Sequence, residues 1–208
     1  FYITSKGKLY VRNAGDYLKT EGIKSPWNSI PDTADSAPIA CRKAFHILMT
    51  DGGWNSSEPT DTGKHIDGDR KKADYKVIGG GNIDGNDITL GDGTTPYTAN
   101  SNTTKIFYDQ WGFGGTDGLN TVSDLAFYYW ATDLQPSISN SVVPVIKKSG
   151  NETFGTGGTA KTIPEFWNPR NDPATWQHMV TYTIGFGSGA SSWTGSPTWG
   201  SDTYSGEY

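Results

Sequence analysis

The stretch Ala44-Phe45-His46-Ile47-Leu48-Met49 is a nearly continuous apolar run, and it stops at Thr50-Asp51-Gly52-Gly53. It has the length of a β-strand, and strands that are buried on both faces of a parallel sheet have this uninterrupted apolar pattern. A second run, residues 179–184, is rich in β-branched and aromatic residues and ends in a glycine-rich segment. We therefore expect two buried strands.

The segment between these strands contains the clearest helical pattern in the chain. Its apolar residues lie at i, i+3, i+4, i+7 and i+8, the stripe of a helix that is docked on a sheet: Val122, Leu125, Ala126, Tyr129 and Trp130. The pattern predicts a helix over residues 122–134 that ends before Pro136. Strand, helix and strand form a βαβ unit, which predicts an α/β fold with the two strands parallel and a right-handed connection.

The other segments predict loops and short strands. Residues 1–40 are expected to form loops with one strand at 8–12, where polar and apolar residues alternate. Residues 56–120, rich in Gly, Asn and Asp, are expected to be an insertion of loops in a single domain that spans 1–208. Local β pairing within it is expected around residues 75–78, 87–90 and 105–108. Residues 135–172 are expected to be loop, followed by a short helical turn over 173–178.

The composition excludes several functional classes. With 17 basic and 22 acidic residues the net charge is −5, and the chain has no basic stripe that could follow a nucleic-acid backbone. No stretch approaches the roughly 18 apolar residues of a membrane span, so the chain is expected neither to cross a bilayer nor to begin with a signal peptide. The 8 Trp and 11 Tyr residues supply apolar surface for a core.

Asp51 is the best-placed candidate for a metal ligand. In open α/β sheets, ligands bind beyond the carboxyl ends of the strands, and Asp51 follows the first apolar run directly. Mg²⁺ and Ca²⁺ prefer oxygen ligands of the kind that an aspartate and nearby hydroxyls provide. The alternative is that Asp51 only turns the chain.

Other candidate metal sites fit less well. Residues 82–93 resemble a calcium loop, but an EF-hand needs Gly at the sixth position and Glu at the twelfth, which here are Asp87 and Gly93. An Asx-rich hairpin turn is the expected structure there. The three histidines lack the spacing of a zinc site, and His46 is expected to be a core residue with its hydrogen bonds satisfied; the other two are His65 and His178.

Cys41 is the single cysteine, so no disulfide forms within the chain. It is either a buried thiol that acts as a small apolar residue or a partner for a cysteine outside this segment.

Three segments together resemble the N-terminal region of the PilY family: residues 41–55, residues 123–136 and residues 176–187. Proteins of this family are type IV pilus biogenesis and tip-adhesin proteins of Gram-negative bacteria, and that region is similar to a von Willebrand factor A domain. The resemblance implies a Rossmann-like parallel sheet that this chain covers only in part. The strand before Asp51 would be its fourth strand, and the strand before Gly185 would be its fifth.

The resemblance also implies a metal-ion-dependent adhesion site. Only Asp51 carries over to it, because the Asp-x-Ser-x-Ser loop of the family occurs nowhere in the 208 residues. Either residues upstream of Phe1 supply the missing strand and metal ligands, which is the expectation we adopt, or this protein has lost the site. In an oxidising periplasm, Cys41 is expected to pair with an upstream cysteine.

The expected function is a non-enzymatic adhesion and pilus-assembly module that uses a divalent cation, Mg²⁺ or Ca²⁺. Its expected partners are minor pilins at the pilus tip and a receptor on a host or abiotic surface. Its expected location is the bacterial cell surface, at the pilus tip or outer membrane, reached through the periplasm. The alternatives are a secreted carbohydrate-active enzyme with paired carboxylates and a lectin-like module whose loops present Trp54, Trp111, Trp193 and Trp199.

Overall fold

The computed structural model describes residues 5–30, 32–33, 36–50, 87–98, 122–154, 161–168 and 170–186. Within these ranges lie two helices, α1 (Ser5–Leu18) and α2 (Val122–Ala131). The strands are β1 (Ala44–Thr50), β2 (Ile88–Thr89), β3 (Pro96–Tyr97), β4 (Glu152–Phe154), β5 (Lys161–Ile163) and β6 (Met179–Gly185). Short 3₁₀ turns occupy Gly22–Lys24 and Glu165–Trp167.

Strands β1 and β6 are the two strands predicted from the apolar runs, and they pair in parallel. Their register runs from Ala44 opposite Met179 to Thr50 opposite Gly185. Helix α2 lies between them in sequence and packs against β6 and α1, while α1 packs against both strands. The parallel direction predicted from the βαβ pattern is thus confirmed and fits the α/β class. The von Willebrand factor A-like topology stays a prediction.

Helix α1 contradicts the expectation of loops and a strand at residues 8–12. The alternation there covers only five residues, whereas Val11, Ala14 and Leu18 recur at the spacing of one helical face. These three side chains belong to the apolar cluster that α1 forms with α2 and the sheet. Packing on a helical period therefore outweighs the short alternating pattern.

Helix α2 ends at Ala131, three residues before the predicted end. The backbone N–H of Leu134 donates to Gln177 O instead of continuing the helix, and the N–H of Gln135 donates to the Asp133 carboxylate. The predicted helical turn over 173–178 is also wrong. The segment forms no helix and bends at residues 176–177, and the N–H of Val142 donates to Thr175 O, which joins it to the loop after α2.

Two short hairpins complete the described structure. Strands β2 and β3 are antiparallel, which confirms the β pairing predicted at 87–90. The Asp92 carboxylate closes this turn by accepting the backbone N–H groups of Thr94 and Thr95 at 2.8 and 2.7 Å. Strands β4 and β5 form a second hairpin, where only loop was predicted.

The other β segments predicted in the insertion, 75–78 and 105–108, lie outside the described residues, as does most of 56–120. The single-domain division with an insertion at 56–120 therefore stays a prediction. No helix in the described part of the chain is both long enough and apolar enough to span a membrane.

The buried apolar side chains of the described residues form two clusters that α2 joins. The first lies between α1, α2 and the β1/β6 sheet and contains Val11, Leu48, Leu125, Tyr129, Leu134 and Met179. The second lies between α2 and the hairpins and contains Leu90, Tyr97, Phe127, Ala131, Ile163, Trp167, Ala174 and Trp176. Aromatic rings dominate the second cluster, as the Trp and Tyr content predicts.

Candidate functional site

The carboxyl edge of the β1/β6 sheet is the predicted location of the cation site. Thr50 and Gly185 are register partners at the carboxyl ends of the two strands, so both strands end at the same edge. Asp51 is the next residue after Thr50 in sequence, but it lies outside the described residues. The part of the chain that the structure describes contains no group of three or more His, Cys, Asp or Glu side chains that could hold a metal ion. The Asp51 site therefore stays a prediction.

One face of the β1/β6 sheet is exposed, although both strands were predicted to be buried. The side chains on this face are 48–65% exposed at Phe45, Ile47, Met49, Tyr182 and Ile184. They belong to one surface because side chains alternate along each strand and the register places Ile47 opposite Tyr182. The other face, which includes Leu48, is covered by the two helices. We define the apolar face as Phe45, Ile47, Met49, Val180, Tyr182 and Ile184.

The buried side chain of His178, just before β6, pairs with the half-buried carboxylate of Asp172. Its Nδ1 atom lies 2.7 Å from Trp176 O, and its Nε2 atom lies 3.1 Å from Asp172 Oδ2. The other oxygen of Asp172 accepts a hydrogen bond from Trp130 Nε1 at 3.1 Å. Burial by itself raises the pKa of Asp172, but the hydrogen bonds from His178 and Trp130 and the nearby positive charge outweigh burial and lower it.

Asp172 could not be predicted as the partner of His178 from the sequence, because two side chains six residues apart in an irregular segment leave no periodic signal. Both ring nitrogens of His178 face oxygen acceptors, so neither is available to a reacting group as a general base. The hydrogen bond from Trp130 to Asp172 joins the segment before β6 to helix α2.

His46 differs from the satisfied core residue that was expected. It is partly buried in β1, and its Nδ1 atom has no hydrogen-bond partner among the described residues. Its register partner on β6 is Thr181, whose Oγ1 atom is likewise buried without such a partner. Burial lowers the pKa of His46, which favours the neutral imidazole. His65 lies outside the described residues.

Cys41 is a free, exposed thiol three residues before β1. The alternative of a buried thiol is therefore wrong, and pairing with a cysteine outside this segment stays a prediction. The four tryptophans named for the lectin-like alternative lie outside the described residues.

Three curated relatives match nearly the whole chain, and all are named Type IV pilus biogenesis factor PilY1 from Pseudomonas aeruginosa. The protein of strain PAK is 37% identical over 195 residues, which is 94% of this chain. The proteins of strains PAO1 and UCBPP-PA14 are 36% and 33% identical over 196 and 197 residues. The chain spans about 13% of the length of these relatives.

No family model matches the chain. No solved structure matches it either. The agreement with the three relatives extends through both strands and the helix between them, and it confirms the resemblance stated from the sequence. The chain belongs to the PilY family and corresponds to one segment of those longer proteins.

Proposed function

We propose that this chain is part of a type IV pilus biogenesis protein and acts there as a non-enzymatic adhesion and assembly module. The observation that carries the proposal is the 37% identity over 94% of the chain with a protein named for pilus biogenesis. Its partners are then pilus components, minor pilins at the tip among them, and a receptor on a host or abiotic surface. It acts at the cell surface, at the pilus tip or outer membrane, after passage through the periplasm.

Asp51 holds a divalent cation in this proposal, either Mg²⁺ or Ca²⁺. Support comes from the parallel pairing of β1 and β6, because Asp51 follows Thr50 at the edge where α/β sheets bind ligands. Further oxygen ligands come from the longer polypeptide, and an acidic group of the receptor completes the coordination. Chelation is then expected to weaken adhesion and leave the two apolar clusters folded.

The test uses bacteria that carry the full-length protein with Asp51→Asn, which removes the charge and keeps the size of the side chain. Asp32→Asn is the matched control, since Asp32 is exposed in the loop before β1 and has a φ of 63°, which Asn tolerates. Adhesion and the number of surface pili are measured with Mg²⁺ or Ca²⁺ and with excess EDTA. We expect EDTA and Asp51→Asn to reduce adhesion to the same level, without an additive effect, while pili still assemble.

Full-strength adhesion of the wild type in excess EDTA would overturn the cation mechanism. The assembly role has a separate test, which is deletion of the segment that corresponds to residues 1–208. Unchanged pilus number and adhesion after this deletion would overturn the proposed function as a whole.

A further inference from the structure

The long loop after α2 contains a cationic segment in an otherwise acidic chain. The chain has a net charge of −5, but no Asp or Glu occurs between Asp133 and Glu152, where Lys147 and Lys148 lie. Among the described residues, no carboxylate lies within ion-pair distance of either ammonium group. We define the basic loop as residues 143–148.

The carboxylates of Glu152 and Glu165, which lie at the end of this segment, are bonded to other groups. Glu152 forms an ion pair with Arg170 at 3.0 Å. Glu165 Oε2 accepts the backbone N–H of Gly150 at 2.5 Å. The two lysines of the basic loop therefore keep their charges available for an anionic group from outside the described structure.

Hydrogen bonds fix the backbone of the basic loop. The side-chain oxygen of Asn171 accepts the N–H groups of Lys147 and Lys148, both at 2.8 Å, and its Nδ2 atom donates to Lys148 O at 2.8 Å. Val145 and Asp172 exchange two backbone hydrogen bonds of 2.7 and 2.8 Å. Because the loop is already ordered, it loses little conformational entropy when a partner binds.

Exposed apolar side chains precede the two lysines. Val142 is buried, whereas Val143 is 63% and Ile146 is 40% exposed. The exposed Pro144 between them has no backbone N–H, so this segment is a poor edge for the addition of a strand. A partner is therefore expected to bind the side chains of the loop rather than its backbone.

We propose that the basic loop binds an acidic segment of another protein, in which carboxylate and apolar side chains alternate. The carboxylates complement the two lysines, and the apolar side chains cover Val143 and Ile146. A lipid surface is disfavoured because it is bound by clusters of roughly four to eight basic residues. Charged and apolar groups mixed in this way are typical of contacts that form and dissociate, since permanent interfaces are more apolar. The proposal does not depend on Asp51 or on a cation.

The test measures peptide binding to the purified full-length protein by fluorescence anisotropy. The probe is a fluorescein-labelled peptide in which glutamate and leucine alternate. Two further peptides carry serine in place of leucine or lysine in place of glutamate. We expect the peptide of glutamate and leucine to bind more tightly than either of these, because it alone matches both the charge and the apolar surface of the loop.

The first variants reverse the charge of the loop. They are Lys147→Glu and Lys148→Glu, alone and together, and Lys24→Glu is the matched control because Lys24 is an exposed lysine in the 3₁₀ turn after α1. We expect the double variant to raise the Kd of the peptide of glutamate and leucine by roughly tenfold or more, since repulsion replaces attraction at two positions. Lys147 is exposed, so Lys147→Glu alone decides the outcome if Lys148→Glu lowers the Tm.

The second variant removes apolar surface from the loop. Val143→Ser is expected to raise the same Kd several-fold, and Ile30→Ser is the control because Ile30 is 62% exposed in a different loop. A higher Kd in the lysine variants and in Val143→Ser, with both controls unchanged, supports the proposal.

Every other result overturns the proposal. Unchanged Kd values in the lysine variants, or no binding to the wild type, would show that the loop is not a site for acidic peptides. Equally tight binding of the serine peptide would show attraction by charge alone. Vesicles of phosphatidylglycerol test the lipid alternative, and binding to them that the lysine variants abolish, without peptide binding, would assign the basic loop to a lipid surface.

Discussion

Gly15 of α1 lies directly against the ring of Tyr129 of α2. A Cβ atom added to Gly15 would lie 2.2 Å from Tyr129 Cδ1, far inside van der Waals contact. Tyr129 is fully buried, and its hydroxyl donates a hydrogen bond to Asp16 Oδ1 at 3.0 Å. The two helices therefore approach so closely because residue 15 has no side chain, and the hydroxyl contact holds the ring in place.

We expect Gly15→Ala to destabilise the contact between α1 and α2. The substitution stabilises α1 by up to about 1 kcal/mol, because Ala has a higher helix propensity than Gly. The added methyl group overpacks the buried ring of Tyr129, which destabilises the folded state by about 1–3 kcal/mol. The net effect is faster amide hydrogen exchange in both helices of the full-length protein, measured by mass spectrometry. Gly22→Asn is the control, because a Cβ atom there meets nothing within 4 Å and Asn tolerates its φ of 70°. Slower exchange in the Gly15→Ala variant would contradict the close approach.

The Tyr129 hydroxyl is expected to stabilise the same contact. Burial raises the pKa of Tyr129, and the negative charge of Asp16 raises it further, so the hydroxyl stays a donor throughout the physiological range. Tyr129→Phe removes that donor from a buried carboxylate and is expected to cost about 1–3 kcal/mol in local stability. Tyr128→Phe is the control on the same helix, since the Tyr128 hydroxyl is only partly buried and accepts a hydrogen bond from Lys19 Nζ.

Asp16→Ala is expected to cost more than Tyr129→Phe. It removes the carboxylate that lies 3.5 Å from Nε of the buried Arg12, and breaking a buried ion pair costs about 3–5 kcal/mol. Amide hydrogen exchange of the α1 peptides measures the loss of local stability in both variants, Asp16→Ala and Tyr129→Phe. The order of the two variants is the decisive result, and a larger loss in Tyr129→Phe would show that Asp16 does not link Arg12 and Tyr129.

The Asp172 pair predicts a loss of stability in acid. The pKa of Asp172 is lowered in the folded protein, so its stabilisation is complete above the unfolded value of about 3.9 and disappears as pH falls through the lower folded value. Thermal unfolding is followed between about pH 2 and pH 6 in the wild type, Asp172→Asn and the control Asp32→Asn. We expect Asp172→Asn to be less stable than the wild type at the upper end of this pH range and as stable as the wild type at its lower end. A difference between them that does not change with pH would contradict the role of the carboxylate.

Much of the central fold could be predicted from the sequence, because the relevant patterns are local. The apolar runs at 44–49 and 179–184 and the helical stripe from Val122 to Trp130 each occupy a single element. A helix between two strands of one sheet makes parallel pairing the favoured arrangement. Asp51 could be named as the candidate ligand for the same reason, because it directly follows the first apolar run and ligands bind beyond the carboxyl ends of strands in α/β sheets.

The features that the sequence could not determine depend on which elements meet. Alternation at residues 8–12 is too short to distinguish a strand from a helix, and contacts of Val11 with α2 and the sheet decide for the helix. The pairs Gly15 with Tyr129 and Asp172 with His178 join segments that have no common period. An apolar run shows that a strand suits burial on both faces, but only the tertiary structure shows that the two described helices cover one face and leave the other exposed.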